Sequence, residues 1–508
     1  MPIINDDIYE ALNIGIEKES LRVSNSQISQ VPHKEELFGS PLTNQFITTD
    51  FSDSQMEFVT PPLRSHSEAL SFLESIHQNI STKINNEILW PLSMPPYIDC
   101  DSKIPIAYYG ESDLALFKRV YRLGLSNRYG RQMQAISGIH YNFSIDSNIL
   151  GYLDSESKEK NFGRYDRDNR YFGALRNIAR FNWLLLYLFG ASPFVCKNIL
   201  GKESRNLEQL DRHTFYLPYA TSLRMSDIGY QNTKQKDLKI SLNELNEYLQ
   251  QLKSATNTIS DKFSKIDSKE GFNLSQLSPN ILQIEDEYYS CARPKSSFDS
   301  SDRMLKKIQE HGVDYIELRS IDLNPFEPSG IGSNSLIFLE LFLIYCLQKN
   351  SPKLDNYSIE EIRNNDSVVS REGRRPGLKI TKDKNQISVK DWGLQILDEM
   401  EKLISESNVK RELFYESLLE SRNMLRNTAL TPSAKIFSQI IDNNITYEQF
   451  GNDLGQSHKK QYLDLYDNQS HNEKIIQNEI ERSKKELNGL KDKSEESFKE
   501  YIKNYFLD

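Results

Sequence analysis

Cysteine is scarce in this 508-residue chain, which has four: Cys100, Cys196, Cys291 and Cys346. None sits in a Cys-x-x-Cys spacing, so neither structural zinc nor a disulfide framework is expected, and a reducing cytoplasm fits. No apolar run reaches the roughly 20 residues that cross a bilayer. The two most apolar stretches, 181–195 and 335–348, carry Asn182 and Glu340 and read as buried elements. The N-terminus, MPIINDDIYEAL, has acidic residues where an export signal needs a basic flank and an apolar run. An excess of positive charge is also missing: 62 Lys+Arg against 72 Asp+Glu leave a net charge of −10. That argues against a general nucleic-acid binder, which holds phosphates with clustered Lys and Arg. The chain lacks Gly-x4-Gly-Lys-Ser/Thr, since Gly201-Lys202-Glu203 has neither the upstream glycine nor the hydroxyl. Gly330-Ile331-Gly332 meets Ser335 where a third glycine should fall, and it follows a Pro-rich turn, which argues against a dinucleotide fold. If ATP is used, its phosphates are held another way.

What is present is a globular composition, 38% hydrophobic and 10% aromatic. Short strand-like and helical runs alternate from residue 14 to about 145, and the character changes beyond 334. Period two marks strands at 15–23 and 136–145, and strands are expected again at 279–289 and 314–323. Helical spacing marks 65–84, with Ser65 as N-cap, and 172–190 and 240–265 also read as helices. Beyond 334, helices are expected at 335–348, 392–405, 409–427 and 433–441. Residues 351–390 read as loop, with Arg371-Glu372-Gly373-Arg374-Arg375-Pro376-Gly377 in the middle. The charged tail, 456–508, reads as solvated helices without a catalytic role. No internal repeat or Pro/Gly/Ser linker divides the chain. One α+β unit spanning 1–508 is expected, with a mixed strand and helix core over 1–334 and a helix-rich region over 335–508 packed on it.

The chemistry concentrates on the strands. Period two places Glu17 and Glu19 on one face with Leu21 and Val23, and Lys18, Ser20 and Arg22 on the other. The carboxylate face continues as apolar and is therefore expected to point inward. Two buried carboxylates about 7 Å apart need a cation between them; the alternative is an edge strand with two solvated glutamates. Glu57 sits among Met56, Phe58 and Val59, where a free carboxylate is costly, while Asp50 and Asp53 could equally be turn formers. Glu317 and Arg319 share a strand face, as a salt bridge or as site residues. His140, Asn142 and Ser144 form a polar stripe backed by Ile139, Tyr141, Phe143 and Ile145, as on a strand lining a polar cavity. Glu17, Glu19, Asp50, Glu57, Glu317 and His140 make an oxygen-rich donor set suited to Mg²⁺ or Mn²⁺. Such a set beside Arg224 and Arg319 suits phosphoryl transfer.

The segments GIEKESLRV, TTDFSDSQMEFVTPP, WPLSMPPYI, YRLGLSNRYGRQMQAISGIHYNFSI, YLFGASPFVC, YLPYATSLRMSDIGY and YIELRSIDLNPFEPSGI resemble bacterial glutamate–cysteine ligase. The likeness runs from about residue 14 to 377. It implies a funnel-shaped active site on a curved, mainly antiparallel sheet related to glutamine synthetase. It also implies an ATP-dependent reaction in which the γ-carboxylate of L-glutamate is phosphorylated and the amine of L-cysteine then displaces phosphate. By motif position, Glu17, Glu19, Asp50, Glu57, His140 and Glu317 would hold the metals. Arg319, with Glu317, would act on the transferred phosphoryl group, and Arg224 would grip glutamate. Tyr121, Leu125, Gln134, Ile136, Tyr230, Tyr289, Arg293 and Phe51 would surround cysteine. The stretch Ser290-Cys291-Ala292 departs from the family pattern, which leaves the wall around Arg293 less defined. A cytoplasmic monomer is expected, with no nucleic-acid or membrane partner and with feedback inhibition by glutathione.

Two other readings stay open at this point. One is a related ligase joining glutamate to a different amine, which the pocket around Tyr230 and Tyr289 would decide. The other is a metabolite-binding protein that keeps the fold without turnover.

Overall fold

The computed structural model describes residues 6–151, 162–200, 206–229, 238–266, 273–298, 303–404, 411–490 and 494–506. Six strands form its main sheet: β1 (Leu12–Ser24), β2 (Ile47–Thr49), β3 (Gln55–Val59), β4 (Ile139–Ile145), β5 (Ala292–Lys295) and β6 (Tyr315–Ile321). Every pairing along the order β5-β6-β4-β1-β3-β2 is antiparallel. Two short strands, Gln27–Ile28 and Ile88–Leu89, pair with the far end of β1.

The register explains why widely separated carboxylates meet. Glu17 lies opposite His140 on β4, Glu19 opposite Glu57 on β3, and Glu317 opposite Asn142. Because side chains alternate across a strand, these polar groups share one face of the sheet. The other face is the core: Ile14 and Ile16 of β1, Tyr141 and Phe143 of β4, and Ile316 and Leu318 of β6 are all buried in one cluster. The expectation that only the Glu17/Glu19 face points inward needs correction. Lys18, Ser20 and Arg22 are buried as well, on the core side. Lys18 Nζ lies 3.0 Å from His77 Nε2, and burial lowers the amine to about 7. Arg22 pairs with Glu87 at 2.9 Å.

The main helices are α1 (His66–Ser81), α2 (Asp113–Tyr129), α3 (Arg164–Phe189), α4 (Ser333–Gln348), α5 (Asn356–Glu372), α6 (Val389–Ile404), α7 (Arg411–Arg426), α8 (Pro432–Asp442), α9 (Tyr447–Leu465), α10 (His471–Gly489) and α11 (Glu495–Phe506). α1 starts as expected, with the Ser65 side chain accepting the Glu68 N–H. α3 and α4 pack against each other behind the sheet, α9 and α10 pack on α1, and α11 packs on α2. No helix among the described residues is long and apolar enough to cross a membrane.

Three other expectations are corrected. Residues 351–390 are not loop: Asp355 caps α5, and a hairpin of Lys379–Lys382 with Asn385–Ser388 follows. The polar composition of α5 conceals a helix that is buried only along a narrow face, at Asn365, Asp366, Val369 and Ser370. Residues 279–289 are not a strand. They form irregular chain with a short 3-10 turn at Glu285–Glu287, and the strand falls later, at Ala292–Lys295. The turn is set by charge, since Glu285 binds Arg303 and Glu287 binds Arg128 in buried ion pairs. The helix expected over 240–265 spans only Leu245–Asn257.

Candidate active site

The polar face of the sheet floors a cavity of about 950 Å³. Glu17, Glu57 and His140 offer ligand atoms within 4.8 Å of one another. His140 Nδ1 lies 3.1 Å from Glu17 Oε2, and Asn142 Nδ2 donates to Glu17 Oε1 at 2.7 Å. Glu19 accepts the Gly138 backbone N–H at 2.8 Å, while its other oxygen is 3.7 Å from His140 Nε2. Glu317 receives Arg319 Nη1 at 3.1 Å and stands 3.5 Å from Lys295 Nζ. Asp50 lines the same cavity.

Electrostatics divides these carboxylates into two groups. Burial, reinforced by Asp50 and Glu57, pushes Glu19 well above the usual carboxylate range. Burial together with Asp50 and Glu17 raises Glu57 to about 8. Burial acts the same way on Glu317, but Lys295 and Arg319 overcome it and hold Glu317 well below the usual range. For Glu17, burial is outweighed by the hydrogen bond and charge of His140, and the group is lowered. On the Glu19/Glu57 side burial and mutual repulsion thus outweigh the nearby Arg224, Arg319, Arg122 and Lys118 and favour the protonated form, and hard oxygen donors whose ionisation lacks a full counter-charge suit a divalent cation.

Of the residues expected around the substrates, Phe51, Tyr121, Leu125, Gln134, Tyr289, Arg224, Arg293 and Arg319 all line this cavity. Gln134 and the Tyr289 hydroxyl lie within hydrogen-bond reach at 3.3 Å. Ile136 differs: it is fully buried in the core and its side chain does not line the cavity. Tyr230 lies outside the described residues. Arg293 Nη2 donates to the backbone carbonyls of Asp286 and Tyr288, so it ties down the loop before β5 as well as facing the cavity.

Several residues at the site carried no assignment from sequence. Lys118 and Arg122 lie one turn apart on α2, and burial with Arg122 lowers Lys118 to about 8. Arg122 Nε donates to the Asp50 carbonyl at 2.5 Å. The i,i+4 spacing was a readable signal for these two. Asp322 had none. It accepts Arg224 Nε at 2.7 Å, the Ala191 N–H at 2.8 Å, and the hydroxyls of Ser192 and Ser222 at 2.7 and 3.0 Å. Arg224 Nη2 also donates to the carbonyls of Arg319 and Ile321, so its guanidinium is rigidly aimed.

Comparison with known proteins adds to this geometry. The family model described as glutamate–cysteine ligase matches residues 4–369. The glutamate–cysteine ligase of Alcanivorax borkumensis is 39% identical over 504 residues, 97% of this chain and 95% of that protein. That of Pseudomonas entomophila is 40% identical over 450 residues, covering 88% and 84%. A crystal structure of the Francisella tularensis glutamate–cysteine ligase in complex with AMP superposes with a TM-score of 0.90 at 33% identity, covering 99% of this chain and 98% of that one.

Proposed function

The chain belongs to the glutamate–cysteine ligase family, and from that membership we infer how its own residues run the reaction. It is an ATP-dependent ligase that joins the γ-carboxylate of L-glutamate to the amine of L-cysteine, giving γ-glutamylcysteine, ADP and phosphate, the first step of glutathione biosynthesis. A carboxylate is a poor electrophile, because an attacking amine would have to expel oxide. Transfer of the γ-phosphoryl group to a glutamate γ-oxygen converts that oxygen into part of a phosphate leaving group. One P–O bond forms as the bond to the β-phosphate breaks and ADP leaves. The cysteine nitrogen then attacks the γ-carbon, the carbon–phosphate oxygen bond breaks, and the nitrogen loses a proton.

Glu17, Glu57 and His140, with Glu19, Asp50 and Glu317 around them, would hold Mg²⁺ or Mn²⁺. When bound, such ions neutralise phosphate charge. The protein's own cations do the rest. Arg319 and Lys295, both on Glu317, face the phosphoryl group and offset its charge in flight. Arg224, aimed by Asp322, grips the carboxylate of glutamate. Phe51, Tyr121, Leu125, Gln134 and Tyr289 wall the cysteine site, and Tyr230 belongs to it by motif. The observation that carries this reading is the meeting of the acidic cluster with Arg319 and Lys295 in one cavity. Residues of α5 and α11 line that cavity too, which supports a single catalytic unit. Four free cysteines fit a reducing, cytoplasmic compartment. Glutathione contains the product and would compete with glutamate in the same pocket.

The test is phosphate release from Mg²⁺-ATP and L-glutamate with a panel of amines. Release that depends on L-cysteine, with γ-glutamylcysteine as product, is expected. Preference for another amine would move the substrate, and silence with every amine would overturn the reading.

A further inference from the structure

Near neutral pH an amino acid carries its nitrogen as an ammonium, which has no lone pair with which to attack the activated γ-carbon. A base in the cavity must take that proton first, and the groups around the cysteine wall narrow the choice. Burial pushes the phenols of Tyr121 and Tyr289 upward, so both keep their protons. Glu287 is held by Arg128 at 3.0 Å and by the Tyr129 hydroxyl at 2.6 Å. Asp286 stands 3.5 Å from Arg293. Glu19, Asp50, Glu57 and His140 belong to the cation cluster, and Phe51, Leu125 and Gln134 carry no basic group.

Lys118 is placed differently. Helix α2 turns Lys118, Tyr121, Arg122 and Leu125 into the same cavity, the i, i+3, i+4, i+7 stripe of one helix face. Lys118 Nζ lies over the Tyr109 ring, 5.3 Å from its centre, and the Arg122 guanidinium lies over the same ring at 4.7 Å. The Tyr109 hydroxyl donates to the carbonyls of Thr49 and Asp50 at 2.7 and 3.0 Å. The lysine therefore stands at the corner between Tyr121 and the Asp50-Phe51 turn, where the cysteine wall meets the acidic cluster. Arg224, Arg293, Lys295 and Arg319 are each tied to a carboxylate, whereas Lys118 makes no ion pair among the described residues. The charged groups that face it are Arg122 on its own helix, Glu57 on β3 and Asp286 in the turn before β5. The loop before α2 adds the Tyr109 phenol, and α11, packed on α2, brings only the phenols Tyr501 and Tyr505 into the cavity. Burial and the charge of Arg122 lower Lys118 to about 8, against the pull of Glu57 and Asp286. A share of it is therefore a free amine near neutral pH.

We propose that Lys118 is the general base of the ligation step, its free amine taking one proton from the ammonium of bound L-cysteine. The cysteine nitrogen is left neutral with a lone pair, and Lys118 becomes the ammonium, which returns its proton to solvent between turnovers. The second proton, lost as the amide forms, leaves with phosphate, whose departing oxygen takes it up. This role rests on the ligase reading, which supplies the amine.

Steady-state kinetics of the full-length protein across pH, with Mg²⁺, ATP and both amino acids saturating and γ-glutamylcysteine as the measured product, test it. Lys118→Met is expected to lower kcat about 100-fold or more, as for a lost general base, with a smaller change in the KM for L-cysteine. Lys118→Arg keeps the charge but cannot give up its proton near neutral pH, and should lose as much. Wild-type kcat should rise with pH and level off above about 8, and that limb should vanish in both variants. Hydroxylamine is already neutral near pH 7 and needs no such base, so Lys118→Met should form γ-glutamyl hydroxamate at close to the wild-type rate. Full activity in Lys118→Arg would overturn the proposal, because charge alone would then suffice. Equal loss with hydroxylamine, or an unchanged pH limb in the variants, would overturn it too, and all three results leave the ligase reading standing. A wild-type chain without cysteine-dependent turnover would sink the ligase reading, and this role with it.

Discussion

Raising the pH from about 6 to about 8.5 should tighten divalent-cation binding and release protons, because the acidic cluster is partly protonated when no cation is bound. Burial and mutual repulsion hold Glu57 at about 8 and push Glu19 upward too. The sign follows from these directions. A carboxyl whose folded value is raised keeps its stabilising proton at low pH, and that contribution is lost as pH rises through the folded value. For Glu57 the penalty therefore builds between its unfolded value of 4.5 and about 8. This corresponds to roughly 5 kcal/mol, at about 1.4 kcal/mol per pH unit. A cation must displace that proton, so its affinity should climb about tenfold per pH unit for each proton released. Glu17 and Glu317 are lowered and already ionised, so they contribute no proton. Titrating Mn²⁺ into the full-length protein by calorimetry, in two buffers of different ionisation enthalpy, counts the protons. Glu57→Gln should bind more weakly and with a flatter pH dependence. Affinity independent of pH, with no proton release, would refute the reasoning.

Glu317→Ala should abolish turnover while the far-ultraviolet circular dichroism spectrum stays that of the native protein; retained activity would refute its role. Gly138→Ala places a Cβ 2.7 Å from Arg224 Nη1, and Asp322 and two carbonyls leave that guanidinium little room to yield. The KM for L-glutamate should rise on the order of tenfold, an overpacking cost of about 1–3 kcal/mol. Asp322→Ala strands a buried guanidinium and should cost about 3–5 kcal/mol in denaturant unfolding, with Asp322→Asn losing less. Gly451→Ala drives a Cβ to 2.1 Å from the Trp90 ring and should lower the melting temperature without changing the KM for any substrate.

How much of this was legible depended on which force set each element. Period two in 15–23 and 136–145 reported β1 and β4 correctly, because one face of each strand is polar toward a cavity and the other packs on helices. The same alternation misjudged Lys18 and Arg22. Their burial is stabilised by partners 59 and 65 residues away, His77 and Glu87, which no local pattern reports. Helix α5 was hidden by a composition rich in Asn, Ser and charge, and the 3-10 turn at Glu285–Glu287 is held by buried ion pairs rather than by propensity. At the site, Glu17, Glu19, Asp50, Glu57, His140, Glu317 and Arg319 were named in advance and share one cavity. Convergence of strands so distant in sequence was supplied by the family resemblance, not by spacing. Asp322 and Lys295 act through contacts made only when the chain folds. The tail, which reads from its charge as solvated helices without a catalytic role, contributes Tyr501 and Tyr505 to the cavity lining.

In this mechanism the γ-carboxylate of L-glutamate is activated by phosphorylation before the amine attacks. Glutamate labelled with heavy oxygen in its γ-carboxylate, turned over with Mg²⁺-ATP and L-cysteine, tests this directly by mass spectrometry of the released phosphate. One labelled oxygen per phosphate is the predicted result. Unlabelled phosphate alongside γ-glutamylcysteine would contradict it.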